Sequence, residues 1–575
     1  MRKQTKVVAV ASAAALLAIG ASMTSFAATG WVEEDGQWYF YDKDGNRVED
    51  EWKKSGDNWY WLDSEEGGAM AVDKLVEDDD NTYYVDGNGV MVTNTWVKVV
   101  NEDQDDDDDP AEYHYYYMQS NGKAYKGDGT SVSKKTIDGK RYAFDEDGVM
   151  LYGWVTESGT MANGEDEWSA SDVMYYFGGW EDGSMKTGWQ KITVHDNEDG
   201  KDDDYDYWFN FKSNGHRRAH ANADDTWKSN NRYYHFDERG VMVYQWFETA
   251  TTNSASASNW AYFSSPEDGA RVTKGWFKVV APTEDNSFLE SDVTFAKKDS
   301  DDESERWYYS DSKDNGLVVG EIKKIKGKYY GFWPDDGQKG GRMLVGLCAL
   351  QMNEADGSKI DKVIVDDMDS DDLDDFMDTY GTKSQEETGI YLYYFGDGED
   401  GSMKTGSVSL NLDGDSYQFQ FKKTGAADSR GRGVNGVDDG KYIYKYGQKV
   451  KADTDDKYTL VYANGNINDS NVVVEDFDNS DIKGIAKSFD LAAKKGSNED
   501  NLRGYCGFGT AKEGWYLVNT SGRIQTGTKS GTKDGYDMYW FMYKDNIKFY
   551  ADDKNISDYD ELKGDGWHSY FDNLK

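Results

Sequence analysis

Gly30–Trp61, GWVEEDGQWYFYDKDGNRVEDEWKKSGDNWYW, contains the pattern from which the rest of the chain is built. Trp31 is followed seven residues later by Trp38, which opens an aromatic run closed by an Asp-Gly pair. Trp52 is again followed at seven by Trp59 and a second aromatic run. Asp-Gly pairs supply the positive φ angles of tight turns and aromatic residues favour strands, so each copy predicts a β-hairpin.

Two distant segments show that the pattern is a true repeat. Tyr175–Trp189 reads YYFGGWEDGSMKTGW, Tyr393–Ser407 reads YYFGDGEDGSMKTGS, and twelve of the fifteen positions match. One hairpin cannot bury both of its faces, so hairpins recurring about every 20 residues must cover one another. The sequence therefore predicts an all-β fold, a repetitive β-hairpin solenoid in which aromatic-rich hairpins form a superhelical stack.

Composition supports an array of hairpins over one large globular core. Among 575 residues, 15% are aromatic and 61 are Gly. Rings bury roughly 150–250 Å² each, so apolar burial comes mainly from them. The net charge of −45 disfavours nucleic acid and anionic lipid as partners and attracts cations. The alternative is that the acidic residues simply keep a secreted, ring-rich protein soluble.

The first residues have the features of a secretory signal peptide. Arg2, Lys3 and Lys6 precede the apolar run Val7–Ile19, and Ser25-Phe26-Ala27 is a small-x-small cleavage site. We predict cleavage at the end of this site; the alternative is an uncleaved anchor. No later stretch reaches the ~18 apolar residues of a spanning helix, so no membrane attachment is expected after cleavage.

Two lapses of the aromatic pattern divide the chain. The predicted segments are a secretory signal (1–27), a repeat array (28–343), an acidic degenerate insertion (344–388), a second set of repeats (389–451), an acidic degenerate segment (452–503) and terminal repeats (504–575). Within the second lapse, Ile482–Lys495 is predicted to form a short helix. The acidic runs Asp105–Asp109, Asp202–Asp204 and Asp366–Asp375 repel themselves and are predicted to be solvated loops. The alternative is weak, non-specific calcium association, since none of the runs has the spacing of an EF-hand.

No pattern in the sequence indicates catalysis. Paired Asp and Glu are so frequent that any two fit a glycosidase template by chance. No non-repetitive stretch of roughly 120 residues, the size of a typical catalytic domain, interrupts the repeats. We therefore predict that the protein is not an enzyme and has neither metal nor cofactor. Cys348 and Cys506 can form a disulfide in an exported protein, and the sequence leaves their pairing open.

The order Gly-Trp, Trp-Tyr-Tyr, Asp-Gly, Met and Thr-Gly-Trp resembles the choline-binding or cell-wall-binding repeat of Gram-positive secreted surface proteins. It is also similar to the glucan-binding repeats of secreted glucosyltransferases and clostridial toxins. The best matches are Gly30–Trp61, Gly153–Trp189 and Asp225–Trp276, and looser ones cover most of the chain. The resemblance implies choline held between consecutive hairpins by two Trp, a Tyr of the next hairpin and often a Met. A quaternary ammonium cannot donate a hydrogen bond, so ring faces suit it.

Carried over to this sequence, the resemblance predicts a set of ligand-binding rings. Within an aromatic strand side chains alternate, so Trp38 and Phe40 share one face and Tyr39 and Tyr41 the other. Grouped by site, the candidate rings are Trp31, Trp38 and Tyr60 or Trp61; Trp52, Trp59 and Tyr84; Trp227, Tyr233 and Trp260 or Tyr262; Trp154 with Tyr175; and Trp189 with Tyr207. The Met position is occupied by Met150, Met185 and Met242. The alternative for every ring is a purely structural role in stacking one hairpin on the next.

These observations predict a non-catalytic, secreted and cell-wall-associated protein that attaches to choline-bearing teichoic acid or another cell-wall glycan. Three alternatives remain open, and one is a structural matrix or S-layer-like protein, which would self-assemble in the absence of any wall. A carbohydrate-binding adhesin would stack its rings on a glucan, and choline would not elute it. An auxiliary or degenerate wall hydrolase would hide a catalytic part in one of the two acidic lapses, and a zymogram would reveal it.

Overall fold

A computed structural model describes residues 29–102, 104, 110–197, 202–220, 222, 225–249, 257–281, 304–312, 316–335, 340–425, 429–494 and 500–573. The predicted secretory signal and the acidic run Asp105–Asp109 lie outside these ranges. The chain divides into two units, Met1–Val243 and Tyr244–Lys575. β-Strands are the main regular secondary structure of the described residues and form many small antiparallel sheets, which agrees with the all-β prediction.

The first unit is a succession of hairpins. Its strands are β1 Gly30–Glu34, β2 Gln37–Tyr41, β3 Glu51–Ser55, β4 Asn58–Asp63, β5 Ala69–Met70, β6 Lys74–Asp78, β7 Asn81–Val85, β8 Thr95–Val100, β9 Tyr113–Met118, β10 Lys135–Ile137, β11 Lys140–Tyr142, β12 Trp154–Thr156, β13 Val173–Tyr176, β14 Gly188–Asp196, β15 Asp203–Phe211, β16 Trp227–Ser229 and β17 Arg232–Tyr234. The first five form one sheet in the order β1-β2-β5-β4-β3, and the others pair two by two along the chain. Asp203 and Asp204 lie within β15. The prediction that Asp202–Asp204 forms a solvated loop was therefore wrong for these two residues.

A recurrent local geometry ends many of the aromatic strands, and the first hairpin illustrates it. After β2, the carboxylate of Asp42 accepts hydrogen bonds from the backbone N–H groups of Asp44 and Asn46, both at 2.8 Å. Gly45 adopts φ 82°, which a side chain would disfavour. The turn brings Arg47 back to pair with Tyr41, the last residue of β2. We call the residue in the place of Arg47 the bridge residue of its hairpin.

Bridge residues also tie each hairpin to the one before it. The backbone N–H of Met91, the bridge residue after β7, donates to the carbonyl of Trp59 in the preceding hairpin at 2.9 Å. Gly122 of the following turn then covers Met91, since a Cβ there would lie 2.5 Å from the Met91 sulfur. The Gly of the Asp-Gly or Asn-Gly pair is thus required by close packing as well as by its positive φ.

The second unit begins with similar hairpins and continues with sheets of three and five strands and three helices. Its strands are β18 Gln245–Glu248, β19 Trp260–Phe263, β20 Gly275–Val279, β21 Arg306–Ser312, β22 Gly316–Leu317, β23 Ile322–Ile325, β24 Lys328–Gly331, β25 Leu347–Met352, β26 Ile360–Val365, β27 Ile390–Tyr394, β28 Gly406–Leu412, β29 Asp415–Phe421, β30 Gly436–Asp438, β31 Tyr442–Lys445, β32 Gln448–Lys449, β33 Tyr458–Ala463, β34 Val474–Phe477, β35 Lys487–Leu491, β36 Leu502–Cys506, β37 Trp515–Asn519, β38 Lys529–Lys533, β39 Tyr539–Tyr543 and β40 Asn546–Ala551; its helices are α1 Ser370–Tyr380, α2 Gln385–Thr388 and α3 Ile482–Ile485.

The first predicted lapse, 344–388, is an ordered part of this unit. β25 is the central strand of a three-stranded sheet with β26 and β27. Helix α1 packs on that sheet through the buried Leu373 and Phe376. Asp369 caps the helix by accepting from the backbone N–H of Asp372 at 2.8 Å, and carboxylates favour a helix N-terminus. The acidic run Asp366–Asp375 therefore enters a helix, and its prediction as a solvated loop was wrong.

The second lapse differs from the prediction as well. Only Ile482–Ile485 of the predicted helix Ile482–Lys495 is helical. The residues that follow form β35, which pairs with β36 at the edge of a five-stranded sheet. Cys348 and Cys506 are both buried, unpaired and assigned to different clusters. They do not form a disulfide.

Candidate functional site

An aromatic cage is built from two neighbouring hairpins of the second unit. Trp276 on β20 and Trp307 on β21 lie 6.3 Å apart with their rings nearly perpendicular, at 89°. Tyr330 on β24, in the following hairpin, closes a third side at 4.7 Å from Trp276. The bridge residue Met343 donates its backbone N–H to the carbonyl of Trp307 at 2.8 Å. Three rings and a methionine therefore converge on one place.

The same cage recurs in the first unit. Trp189 on β14 and Trp208 on β15 lie 6.3 Å apart at 84°. Tyr234 of the next hairpin lies 5.0 Å from Trp189, and the bridge residue Met242 donates to the Trp208 carbonyl at 2.8 Å. The two cages differ in loop lengths and share this geometry, so strand register and the bridge residue determine the arrangement.

A third cage contains the predicted pair Trp52 and Trp59. Trp59 is 40% exposed, and the bridge residue Met91 is bonded to its carbonyl at 2.9 Å. The ring that the next hairpin brings to Trp52 is Tyr83, at 5.0 Å, and not the predicted Tyr84. Tyr84 lies on the other face of β7, where it pairs with Leu75 and its hydroxyl donates to Asp73.

The first predicted cage is assembled largely as expected. Trp31 lies opposite Phe40 in the β1–β2 pair, and Trp38, two residues before Phe40, shares that face. Of the two predicted partners, Tyr60 contacts Trp31 at 5.3 Å. Trp61 is buried and lies 5.3 Å from Trp52 instead.

A further cage at β8 and β9 was missed by the sequence analysis. Trp96 lies 4.9 Å from Tyr142 of the next hairpin. Tyr115 occupies the position that Trp59 has in its cage, and the bridge residue Met150 donates to its carbonyl at 2.7 Å. Trp180, from a later turn, lies 6.4 Å from Tyr115. The predicted Met positions Met150 and Met242 thus belong to cages.

Two predicted ring pairs are wrong because adjacent strand residues face opposite sides. Trp154 lies opposite Tyr176, and Tyr175 is the next residue back, facing away and bonded to His216 at 2.6 Å. Trp189 lies opposite Asn210, three residues beyond the predicted Tyr207. The hydroxyl of Tyr207 donates to buried Asp196 at 2.6 Å.

The position around Trp154 is filled by the chain itself. The bridge residue of the next hairpin, β14–β15, is Arg217. Its guanidinium lies 5.7 Å from the Trp154 ring. This group donates to the carbonyls of Trp168 at 2.6 Å and Ala170 at 3.0 Å. Burial lowers the pKa of Arg217 to about 10. An internal cation occupies this place, so it is not open to an external one.

The loosely predicted group Trp227, Tyr233, Trp260 and Tyr262 is divided between the two units. In the first unit, the Trp227 ring lies 5.6 Å from Trp189 and under the guanidinium of Arg218 at 4.1 Å. Tyr233 has the ammonium of Lys228 5.3 Å above its ring. In the second unit, Trp260 is completely buried and Tyr262 stacks on Phe277 at 5.6 Å.

One cage is closed. Trp246, Trp260 and Tyr308 occupy the three ring positions, and each has 0% of its surface exposed. Trp246 and Tyr308 meet at 5.0 Å. The open cages instead keep Trp38, Trp59, Tyr115, Trp208 or Trp307 at least partly exposed. Access therefore distinguishes cages of otherwise similar composition.

Charged groups of both signs lie near the cage of Trp52 and Trp59, and the ammonium of Lys54 is 5.8 Å from the Trp59 ring. The indole N–H of Trp52 donates to Asp78 at 3.2 Å, which places a carboxylate beside that ring. Burial raises the pKa values of Tyr83 and Tyr142. Their phenols therefore stay neutral at ordinary pH and keep the ring quadrupole that attracts cations.

A signal for the missed rings is present in the sequence. In three cages the tyrosine lies eight residues before the bridge methionine, as in Tyr83 and Met91. Counting back from the methionine, rather than forward from the Gly-Trp pair, identifies Tyr83, Tyr142 and Tyr234. The fourth missed ring, Tyr330, is not identified in this way, because an insertion lengthens the interval between it and Met343.

The N-terminal hairpins are similar to a known family of repeats. Residues 28–74 match the family model described as the choline-binding repeat. This stretch is similar to a choline-binding repeat. It contains the first cage and both Trp52 and Trp59 of the next. A search of curated proteins gave no match.

Solved structures of choline-binding proteins from Streptococcus pneumoniae are similar to parts of the chain. The modular autolysin LytC, solved with a synthetic peptidoglycan ligand, has a TM-score of 0.28 and 16% identity over 58% of this chain and 57% of its own. The choline-binding domain of CbpL has 0.25 and 21%, covering 43% and 100%. CbpJ has 0.26 and 18%, covering 73% and 99%. This chain thus spans less than two thirds of LytC.

Within the described ranges, no group of three or more His, Cys, Asp or Glu side chains is placed to hold a metal ion. Among the helices of those ranges, none has the length and apolar character needed to cross a bilayer.

Proposed function

We propose that the mature chain is a secreted, non-catalytic protein that attaches to choline-bearing teichoic acid or a related wall polymer. Its hairpins would stack as a solenoid within each unit and bind quaternary ammonium groups in the open cages. These cages comprise Trp31, Trp38 and Tyr60; Trp52, Trp59, Tyr83 and Met91; Trp96, Tyr115, Tyr142 and Met150; Trp189, Trp208, Tyr234 and Met242; and Trp276, Trp307, Tyr330 and Met343.

The recurrence of one cage geometry in both units carries this proposal. If rings served only to stack hairpins, their mutual angles and exposure would follow local packing. Instead, the two Trp-Trp pairs meet at the same 6.3 Å and within a few degrees of perpendicular. The open cages leave a ring accessible that the closed cage buries.

Cation–π attraction explains why the ligand would be a quaternary ammonium. Trimethylammonium offers apolar methyl groups that carry positive charge, and ring faces and a Met thioether accommodate both. Each ring is expected to contribute about 0.5–2 kcal/mol to binding.

Titration of the mature chain with choline, followed by Trp fluorescence, tests the proposal. The uncharged isostere 3,3-dimethyl-1-butanol is titrated in parallel, because it has the same shape without the charge. We expect saturable binding of choline and much weaker binding of the isostere. Equal binding of both, or no response to choline, would contradict the proposal.

Trp59→Ala removes one exposed cage wall and should weaken binding at that cage by about 2- to 30-fold. Tyr570→Ala is the matched control, since Tyr570 is 39% exposed and belongs to none of the cages.

Absence of catalysis is tested by a zymogram on choline-containing cell walls. A clear band from the purified chain would instead support the hydrolase alternative.

A further inference from the structure

A second kind of site lies in the first unit, beside the loop between β12 and β13. It is a cavity of about 350 Å³, within the ~300–1,000 Å³ range of small-ligand pockets. Its walls include Trp154, Trp168, Trp180, Asn163, Glu165 and His195. Of these rings, only Trp154 occupies a position equivalent to one in the cages, and Arg217 fills that position.

The floor of the cavity is held rigidly. The indole N–H of Trp168 donates to the carbonyl of His195 at 2.6 Å. The guanidinium of Arg239 lies 5.3 Å from the Trp168 ring, and that of Arg217 lies 5.7 Å from Trp154. These two ring faces therefore already have cations on them, so the cavity is not suited to hold an external ammonium group by the same attraction.

Trp180 is not needed to form the turn that carries it. The near-identical copy has Gly398 at this position. In both copies the Asp carboxylate accepts from the Ser hydroxyl, at 2.8 Å for Asp182 and 2.7 Å for Asp400, and pairs with the following Lys. The turn thus folds in the same way without the indole, which leaves the Trp180 ring as an addition to the cavity wall.

The polar groups around the cavity are suited to a neutral, hydroxylated ligand. Asn163 uses its carbonyl oxygen to accept from the backbone N–H of Trp154 at 3.0 Å. Its amide nitrogen is buried and has no hydrogen-bond partner among the described residues. Glu165 is an exposed acceptor on the rim, 3.4 Å from the Nε2 of His195. A buried amide donor without an acceptor is costly unless a ligand or water satisfies it.

We propose that this cavity binds a pyranose unit of a saccharide. The apolar C–H face of the sugar would stack on Trp180, as aromatic rings with a large apolar surface allow. A ring hydroxyl or acetamido oxygen would accept from the amide of Asn163, and a hydroxyl would donate to Glu165. The site lies beside the β8–β9 cage, since Trp180 is also 6.4 Å from Tyr115, and the proposal does not depend on whether the cages bind choline.

Calorimetric titration of the full mature chain with triacetylchitotriose and with isomaltotriose tests this proposal. We expect saturable binding of at least one, with millimolar or better affinity. Trp180→Gly, which copies the residue of the second repeat and should fold, is expected to weaken it at least tenfold. Asn163→Asp keeps the acceptor for Trp154 and removes the donor, and should have the same effect on the sugar while leaving choline binding unchanged.

Trp59→Ala is the reciprocal control, because it opens a choline cage and should leave sugar affinity unchanged. Failure of both saccharides to bind the wild-type chain would overturn the proposal. Equal affinity of wild type and Trp180→Gly, or displacement of the sugar by choline, would overturn it as well.

Discussion

Arg217 shows how one residue determines the fate of a cage. Where other hairpins have a bridge methionine, Arg217 places a buried guanidinium beside Trp154 and bonds two carbonyls of the loop that carries Trp168. The planar fork of Arg reaches two acceptors at once, which Lys cannot reproduce. The residue at the bridge position therefore decides whether the neighbouring rings face solvent or an internal cation.

Arg217→Lys should consequently destabilise the first unit. It retains the buried charge and loses at least one hydrogen bond to a buried carbonyl, which costs about 1–3 kcal/mol. Urea unfolding measures the effect. Arg218→Lys is the control, since Arg218 is partly exposed and bonds a side chain, Asn210; a loss as large as that of Arg217→Lys would contradict the explanation.

The two thiols should be inert in the folded protein. Burial raises the pKa of Cys348 and of Cys506, and only a thiolate reacts readily. A thiol reagent such as Ellman's should therefore label neither residue in native buffer and both in denaturant. Labelling of only one in denaturant, or a mobility shift on reduction, would indicate a disulfide and contradict the structure.

At the scale of hairpins, sequence reasoning identified the repeat and predicted its local geometry only in part. Spacing of seven located Trp52 and Trp59, because that interval spans a hairpin turn and returns to the same face. The sequence analysis wrongly predicted Tyr84 instead of Tyr83 as the third ring. The correct ring depends on which face of β7 meets the preceding hairpin. That contact is fixed by the Met91–Trp59 hydrogen bond, which no spacing within one hairpin reveals.

The sequence analysis also failed to predict helix α1, for a different reason. Its acidic residues suggested a loop, yet Leu373 and Phe376 fall three apart and face β25 together. Such short amphipathic helices gain stability from the sheet that they cover more than from propensity. Without knowledge of that sheet, the charge run dominated the interpretation.

The repeated Asp-Gly-Ser-Met-Lys turn has a pH dependence that can be measured. Lys404 and Ser402 lower the pKa of Asp400 to about 2. A lowered carboxylate pKa stabilises the fold above its unfolded value near 4 and loses that contribution as pH falls towards 2. Since Asp400 is about one third exposed, solvent screening limits the effect to about 1 kcal/mol.

Asp400→Asn should therefore lower the thermal stability of the second unit at pH 7, and the difference from wild type should vanish between pH 4 and 2. Asp413→Asn serves as a comparison outside this turn, because its pKa is lowered mainly by hydrogen bonds from Ser370. A difference that persists unchanged at pH 2 would exclude the proposed ion pair with Lys404.

Across the whole molecule, open cages occur in both units, four in the first and one in the second among the described residues. The net charge of −45 raises the local concentration of cations around all of them, an effect that salt screens. Under the proposed function, a polymer that bears many choline groups would occupy several cages of one chain. Retention on such a polymer would then depend on the number of working cages rather than on the affinity of any one.

Disabling cages one at a time should separate affinity from avidity. Trp59→Ala and Trp307→Ala remove one cage in each unit, and each alone should weaken retention on immobilised choline only modestly. The double variant should elute at a much lower free choline concentration, because linked sites raise apparent affinity by about 10²–10⁴ over single ones. Calorimetry should meanwhile show the remaining cages with unchanged affinity for free choline. If the double variant instead elutes with the single variants, one dominant site and not the array would account for attachment.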